Sequence, residues 1–412
     1  MFSLLPCLLA CLCALPVDED REETDTVYLL DGKTREGRVV YEDADTLVLL
    51  KGTRETEIPQ AEIQDVDAIG RHLNALLDRI QAAGPLPQQS AANLLELARF
   101  ADQARLPGEA RLLRYAALLA DPHDEAALDA LHARTRGDSS QIKLGKRWVD
   151  TRELREPIGK WKDRLSVSTT HYALESNQAL PQIVAAAFEM ERFYRDFFAL
   201  LAKPVQLREP DEIMHVRLHA DEGSFPEPGD GRRGFFDRTD RSVAVDVSGP
   251  GWEARVVHEL TRQLLFQTSQ RSRRASGEVP SWIEEGLAVS FASGRSGPPG
   301  LGEHDPTALA PHWIRIHAAA PRPFALDRVL VFSFEDFVST LDQDLKYAQA
   351  YTLMHTMLAS RGGQLRDEFL AYLHSAYLGQ ASNKRLRELL GVSDDELAEL
   401  WQRHLNELLT QI

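Results

Sequence analysis

Cysteine is nearly missing from this 412-residue chain: Cys7, Cys11 and Cys13 are its three, all within the first 13 residues. The remainder of the chain can build no disulfide scaffold, no cysteine-ligated zinc site and no thiol nucleophile. Positive charge is also in short supply, with 47 Lys and Arg against 63 Asp and Glu and a net charge of −16. That balance argues against general nucleic-acid binding, which needs a basic surface facing phosphate. No apolar run reaches the roughly 20 residues that a membrane-spanning helix requires. The hydrophobic share of 43% and charged share of 27% are those of an ordinary globular protein. Its length predicts two or three domains.

The run from Met1 to Pro16 is apolar and ends at Val17-Asp18-Glu19-Asp20. Residues 1–17 therefore read as an export leader, although no Lys or Arg precedes the apolar stretch. Leu8-Leu9-Ala10-Cys11 also fits a lipid-attachment site, with Cys11 as the anchor. The expected location is extracytoplasmic: periplasmic, secreted or lipid-anchored at a bacterial cell envelope.

Beyond the leader, the pattern changes twice. Residues 25–68 read as four or five short strands, with Asp31-Gly32 and Lys51-Gly52 as turn dipeptides. Their closeness predicts a small β-barrel of the SH3 or Sm type. Residues 70–140 then take a helical period. Leu94, Leu95, Leu97, Ala98 and Ala101 form one apolar face, and Ala110, Leu113, Ala117 and Leu118 form another. Leu106-Pro107-Gly108 separates these two helices, and Asp121-Pro122 opens a third that buries Ala126, Ala127, Ala130 and Leu131. The pair resembles one tetratricopeptide-like unit, too little for a solenoid, so the region is expected to link two domains. The polar segment 143–162, with Trp148 and Trp161, reads as a connector.

A C-terminal α+β domain is expected over 163–411. It opens with a strand pattern at 165–170 and a long helix from about Leu180 to Ala202. Val205 and Leu207 alternate like a strand, as do residues 213–219 and 242–247. Ser248-Gly249-Pro250-Gly251 turns the chain into a further helix carrying Val256-Val257-His258-Glu259-Leu260-Thr261-Arg262. Residues i and i+4 of a helix share a face. Two histidines so placed, with a glutamate beside the first, would hold a zinc ion and activate its water. His258 and Glu259 fill the first two places, but Arg262 fills the third. A guanidinium offers no lone pair and repels a divalent cation.

Downstream lies Pro280-Ser281-Trp282-Ile283-Glu284-Glu285-Gly286-Leu287-Ala288. Together the two segments resemble the gluzincin-type peptidase MA-like family, in which a His-Glu-x-x-His helix is followed by Trp-x-x-Glu-Gly-Leu-Ala. The resemblance covers roughly 165–411. It implies a zincin-like fold, zinc ligands at His258 and Glu285, a general base at Glu259, and Glu284 as a less constrained neighbour. It also implies a transition-state hydrogen bond from Tyr347, with Tyr351 one turn further on. Gly234-Phe235-Phe236-Asp237 resembles the edge strand that receives substrate backbone. Ser393-Asp394-Asp395-Glu396 reads as a capping box for the last helix.

Three functions follow. In the first, zinc is absent or weakly held, Arg262 pairs with Glu259 and Glu285, and the cleft binds a peptide or protein without cutting it. In the second, an active zinc peptidase recruits a substitute ligand from His304, His312, His317 or His355. Without one, His258 and Glu285 alone fall short of three protein ligands. In the third, the chain is a structural or interaction protein of the envelope, working through its barrel and helices. The basic run Arg271-Ser272-Arg273-Arg274 reads as a solvated loop or as an attractor of acidic partners near the cleft.

Overall fold

The computed structural model of the chain describes residues 25–221, 223–226, 229, 231–270, 279–297 and 302–412. The expected leader 1–17 with Cys11, and the basic run 271–274, lie outside them. The description starts with β1 (Asp25–Leu29), β2 (Thr34–Glu42), β3 (Thr46–Lys51), β4 (Arg54–Pro59) and β5 (Ile63–Asp67). These form one antiparallel sheet in the order β4-β3-β2-β1-β5. Gly32 and Gly52 take positive φ at two of its turns, where a side chain would be strained. Alternation along the strands buries Val27, Leu29, Leu47, Leu49, Ile58 and Val66 in a small core of their own.

Four helices follow: α1 (Ile69–Ala83), α2 (Ala91–Gln103), α3 (Pro107–Ala120) and α4 (Glu125–Ala130). The Ser90 side chain accepts from the Asn93 amide to cap α2, and Pro107 opens α3, where a missing N–H costs nothing. The third helix is shorter than its apolar pattern suggests. Asp124, not Asp121, caps α4, and of the four residues expected inside only Ala127 is buried. The end of the expected helical region and the start of the expected polar connector form a sheet instead. Strands β6 (Arg134–Arg136), β7 (Ser139–Leu144) and β8 (Arg147–Asp150) form an antiparallel meander, and Ile142 and Leu144 point inward.

The second large sheet contains β9 (Leu165–Ser168), β10 (Tyr172–Ser176), β11 (Met214–His219), β12 (Gly234–Asp237) and β13 (Ser242–Asp246), with α5 (Leu180–Val205) between β10 and β11. Its order is β12-β13-β11-β10-β9; β10, β11 and β13 run parallel, and β9 and β12 are antiparallel edges. Val205 and Leu207 are not a strand. Val205 ends α5, Gln206 turns left-handed at φ 56°, and the Gln206 and Leu207 amides bond back to Lys203 and Ala202. That closure consumes the last carbonyls of the helix and leaves no extended segment there.

The remainder is mainly helical: α6 (Trp252–Gln270), α7 (Ser281–Ser293), the short β14 (Arg295–Ser296) and β15 (Glu303–His304), then α8 (Pro311–Ala319), α9 (Leu326–Val329), α10 (Phe334–Val338), α11 (Gln343–Ala359), α12 (Arg366–Tyr377), α13 (Asn383–Leu390) and α14 (Asp394–Leu409). Ser393 and Glu396 form the expected capping box on α14. The chain is thus a mixed α+β protein. One apolar cluster runs from Leu73 on α1 to Trp401 on α14, so the helical region and the second sheet share a core. Phe188, Phe193 and Phe197 of α5 are fully buried at its centre. Burial of each contributes about 1.5–3 kcal/mol.

Gly286 sets the spacing of the helices that carry the candidate site. A Cβ at that position would lie 2.9 Å from the backbone oxygen of Ala350, so α7 and α11 approach as closely as a glycine permits. Gly286→Ala is expected to destabilise the protein by about 1–3 kcal/mol through this overlap. Urea unfolding measures it, and an unchanged midpoint would show that the two helices separate without cost.

Candidate functional site

Helix α6 lies against β12, β13 and α7. Its apolar face, Val256, Val257, Leu260, Leu264 and Leu265, is buried in the shared core. That orientation turns His258, Glu259 and Arg262 toward α7 and the start of β12, where Gly234 faces the Glu259 side chain. On α7, Glu284 and Glu285 are both buried, 6% and 1% exposed. The two helices therefore bring three carboxylates, an imidazole and a guanidinium to one place.

Arg262 is the hub. Its Nη1 donates to Glu259 Oε2 at 3.0 Å and its Nε to Glu284 Oε1 at 2.9 Å, while Glu285 Oε1 lies 3.2 Å from the same Nε. His258 lies between the other two acids, with Nδ1 3.2 Å from Glu259 Oε1 and Nε2 3.2 Å from Glu285 Oε2. Arg238 Nη2 donates to the second oxygen of Glu284 at 2.8 Å. The Glu285 oxygens make no aligned hydrogen bond, so proximity to two cations, not donor geometry, holds that carboxylate. From α10, the Phe334 ring covers the Arg262 guanidinium at 4.7 Å, and Arg232 approaches the same ring at 5.4 Å.

The charges explain the ionisation of each group. Burial alone would drive His258 toward neutrality, but Glu259 and Glu285 outweigh it and push the imidazole up to about 9. Burial would likewise raise Glu259, yet Arg262 and His258 hold it down at about 2. Glu285 is held below the usual carboxylate range by the same two cations against its burial. Glu284 goes the other way, raised by burial and by Glu285 despite Arg262 and Arg238. Glu259 and Glu285 thus meet Arg262 and a protonated His258 as ionised carboxylates, while Glu284 contacts Arg262 and Arg238.

Tyr347 on α11 also faces the cluster, with its ring 6.0 Å from that of His258. Burial first, and then Glu285, push its hydroxyl well above the usual phenol range, so it stays a neutral donor. Tyr351 faces elsewhere: its hydroxyl accepts from Ala310 N and donates to Ala308 O. The four histidines considered as substitute ligands have contacts of their own. His304 lies 3.4 Å from Glu189, His317 bonds Thr352, His355 bonds His404 and Thr307, and His312 packs on Trp313.

For a metal, the donor set does not fit. His258 Nε2 and the Glu285 carboxylate, the two ligands the resemblance implies, face each other at 3.2 Å, and Arg262 lies against that same carboxylate. Among the described residues no group of three or more His, Cys, Asp or Glu is arranged to hold a metal ion. Glu259, held at about 2, is also a weak base at neutral pH. What the arrangement offers chemically is an ion-paired floor with a neutral tyrosine beside it.

Helical spacing groups His258, Glu259 and Arg262, the resemblance adds Glu285 and Tyr347, and all five meet here. It gives Glu284 too little weight, since Glu284 is bound as firmly to Arg262 as Glu259 is. It does not anticipate Arg238, Arg232 or Phe334. Arg238 follows the Gly234-Phe235-Phe236-Asp237 strand directly, and that position is the one signal the sequence offers for it.

A family model described as a protein of unknown function (DUF1570) matches residues 253–381. That span runs from the first turn of α6 to just beyond α12 and includes His258, Arg262, Glu284, Glu285 and Tyr347. No curated protein and no solved structure matches the chain.

Removing one side of a buried ion pair leaves its partners uncompensated, at a cost of about 3–5 kcal/mol. Arg262→Ala is therefore expected to lose stability on that scale in chemical denaturation; a loss below about 1 kcal/mol would place the network at the level of surface pairs. The histidine gives a pH signature. Its folded value near 9 lies above the unfolded value of about 6.5. Its contribution is therefore complete below about 6.5 and is lost as pH rises through 9. The stability difference between wild type and His258→Gln should shrink across that window, and a pH-independent difference would contradict a protonated His258.

Proposed function

We propose that residues 163–411 are a gluzincin-like peptidase domain in which an ion-pair network replaces zinc, and that its cleft holds a peptide or protein segment without cleaving it. The observation that carries this is the position of Arg262. It stands one helical turn after His258, where a second imidazole is expected. There it engages Glu259, Glu284 and Glu285 at 2.9–3.2 Å. The neighbourhood supports the same ancestry. Glu285 and Gly286 sit on the helix packed against α6, Tyr347 faces His258, and β12 is an edge strand of the sheet above. An edge strand can take up an extended segment through backbone hydrogen bonds, with no chemistry required.

In this proposal the first sheet is an SH3- or Sm-type module and α2–α3 a tetratricopeptide-like pair, both accessory to the cleft, in a protein exported to the cell envelope. An active peptidase with a substitute ligand finds less support, because His317 and His355 are hydrogen-bonded to other groups and His304 pairs with Glu189.

The test is metal content with turnover. After incubation with excess zinc and dialysis, the wild-type protein should retain far less than one zinc per chain and leave a fluorogenic peptide library uncut. Arg262→His should take up one zinc per chain. Peptide arrays should yield extended binders that remain intact after prolonged incubation. Stoichiometric zinc in the wild type would overturn the proposal. Absence of any binder would move the function to the N-terminal modules.

A further inference from the structure

The first sheet is attached to the protein in a different way from the other elements. Its apolar residues close a core of their own, separate from the cluster that runs from α1 to α14. Among the described residues, none of its strands packs extensively against a helix or strand outside the sheet. Where it faces α5 and the segment before β11, two cavities of about 370 and 390 Å³ intervene, both lined by Arg38, Thr170, His171 and Tyr194. Voids of that size do not occur inside a packed core, so the sheet lies over this region without filling it.

The attachment differs between the two sides of the sheet. On one side β5 runs into α1 through Ala68, and this corner is pinned. Asp25, buried on β1, accepts from the Ile69 amide at 2.9 Å and from the Val39 amide at 2.7 Å. Asp67 lies 2.8 Å from Arg105 Nη2 and 3.1 Å from His72 Nε2, and Glu42 pairs with Arg71 of α1.

Across the cavities the sheet is held mainly by charge. Arg38 of β2 donates to Pro210 O at 2.6 Å and pairs with Asp211. Lys203, near the end of α5, lies 3.4 Å from Asp45 and 4.0 Å from Asp43. Arg208 lies 3.9 Å from Glu55 and covers the Tyr41 ring at 4.3 Å. Between these pairs the Glu209 amide donates to Val40 O at 2.9 Å. The side chains of Lys203, Asp45 and Asp211 are more than half exposed. Pairs of that kind contribute at most about 1 kcal/mol each and are screened by salt.

We propose that the sheet Asp25–Asp67 is a hinged cover. Pinned at Ala68, it swings away from α5 as a folded unit when the ionic contacts of Arg38, Lys203 and Arg208 are released, and so opens the chamber around His171. The floor it uncovers is polar: Glu191, fully buried, accepts from the His171 amide at 2.7 Å and pairs with His171 Nδ1 at 2.6 Å. The cover shares no residue with the Arg262 cluster and does not depend on the function proposed for it.

Hydrogen exchange of the full chain, read segment by segment, tests this as salt rises from about 10 mM to about 1 M, where the Debye length falls from about 30 Å to about 3 Å. The segment 205–212, which contains the Glu209 amide, should exchange at least about ten-fold faster at the high end. The amides of Leu47–Leu50, inside the sheet, should keep their protection, because the sheet moves while folded. Arg38→Ala should lower the salt concentration at which 205–212 loses protection. Exchange of 205–212 that ignores salt overturns the proposal. So does loss of protection at Leu47–Leu50 in step with 205–212, which would mean unfolding of the sheet, or a salt response unaltered in Arg38→Ala. Should Arg38→Ala fail to fold, the salt series on the wild-type chain decides by its two readings.

Discussion

A guanidinium closed off from water cannot shed its proton, so everything around Arg262 has to answer its charge. Three carboxylates do so from two helices: Glu259 one turn earlier on α6, and Glu284 and Glu285 on α7. Arg238, following β12, and Phe334, on α10, then close the remaining sides. A single side chain thereby fixes the mutual placement of a sheet edge, two core helices and a surface helix. Buried ion pairs often add little net stability over well-packed apolar groups. Their effect here is geometric, since all three carboxylates reach Arg262 together in one arrangement of α6 against α7. Gly286 serves the same end from the other side, allowing α7 to sit against the α11 backbone.

Much of this cluster is legible in the amino-acid sequence, and the reason is helical periodicity. His258 and Arg262 are four apart, Glu259 and Arg262 three apart, and such pairs share a helix face whatever the tertiary fold. Glu285 stands out through its setting beside Trp282 and Gly286. Glu284 does not, because adjacent helical residues point about a third of a turn apart, which suggests that only one of them faces inward. The width of the guanidinium removes that choice, since Nε alone lies near oxygens of both glutamates. Phe334 and Arg238 come from other elements, and no local spacing ties them to α6.

The fold divides along similar lines. The first sheet and the α2–α3 pair follow from turn glycines, a helix-opening proline and clean apolar periods. The meander β6–β8 is hidden because just two of its residues, Ile142 and Leu144, are fully buried, so polar neighbours mask the alternation. Val205 and Leu207 mislead for the opposite reason. Two apolar residues flanking Gln206 imitate a strand, but a left-handed cap sets their spacing.

The proposed descent from a zinc peptidase raises the question of how such a site could lose its metal and remain folded. A zinc ion would bring two positive charges to Glu259, Glu285 and the imidazole. Arg262 brings one, and His258, once freed from a metal, gains a proton and brings the other. The same two units of charge are restored, now covalently attached to the protein and requiring no supply of metal. Under that proposal catalysis is lost in the exchange, because neither cation offers an open coordination position and Glu259, held at about 2, is a weak base toward water. Under the same proposal the binding of an extended segment has no such dependence, since strand addition at the β12 edge uses backbone hydrogen bonds. On the proposed reading, replacing one imidazole by a guanidinium separates two properties that a peptidase keeps together, hydrolysis and the holding of an extended chain.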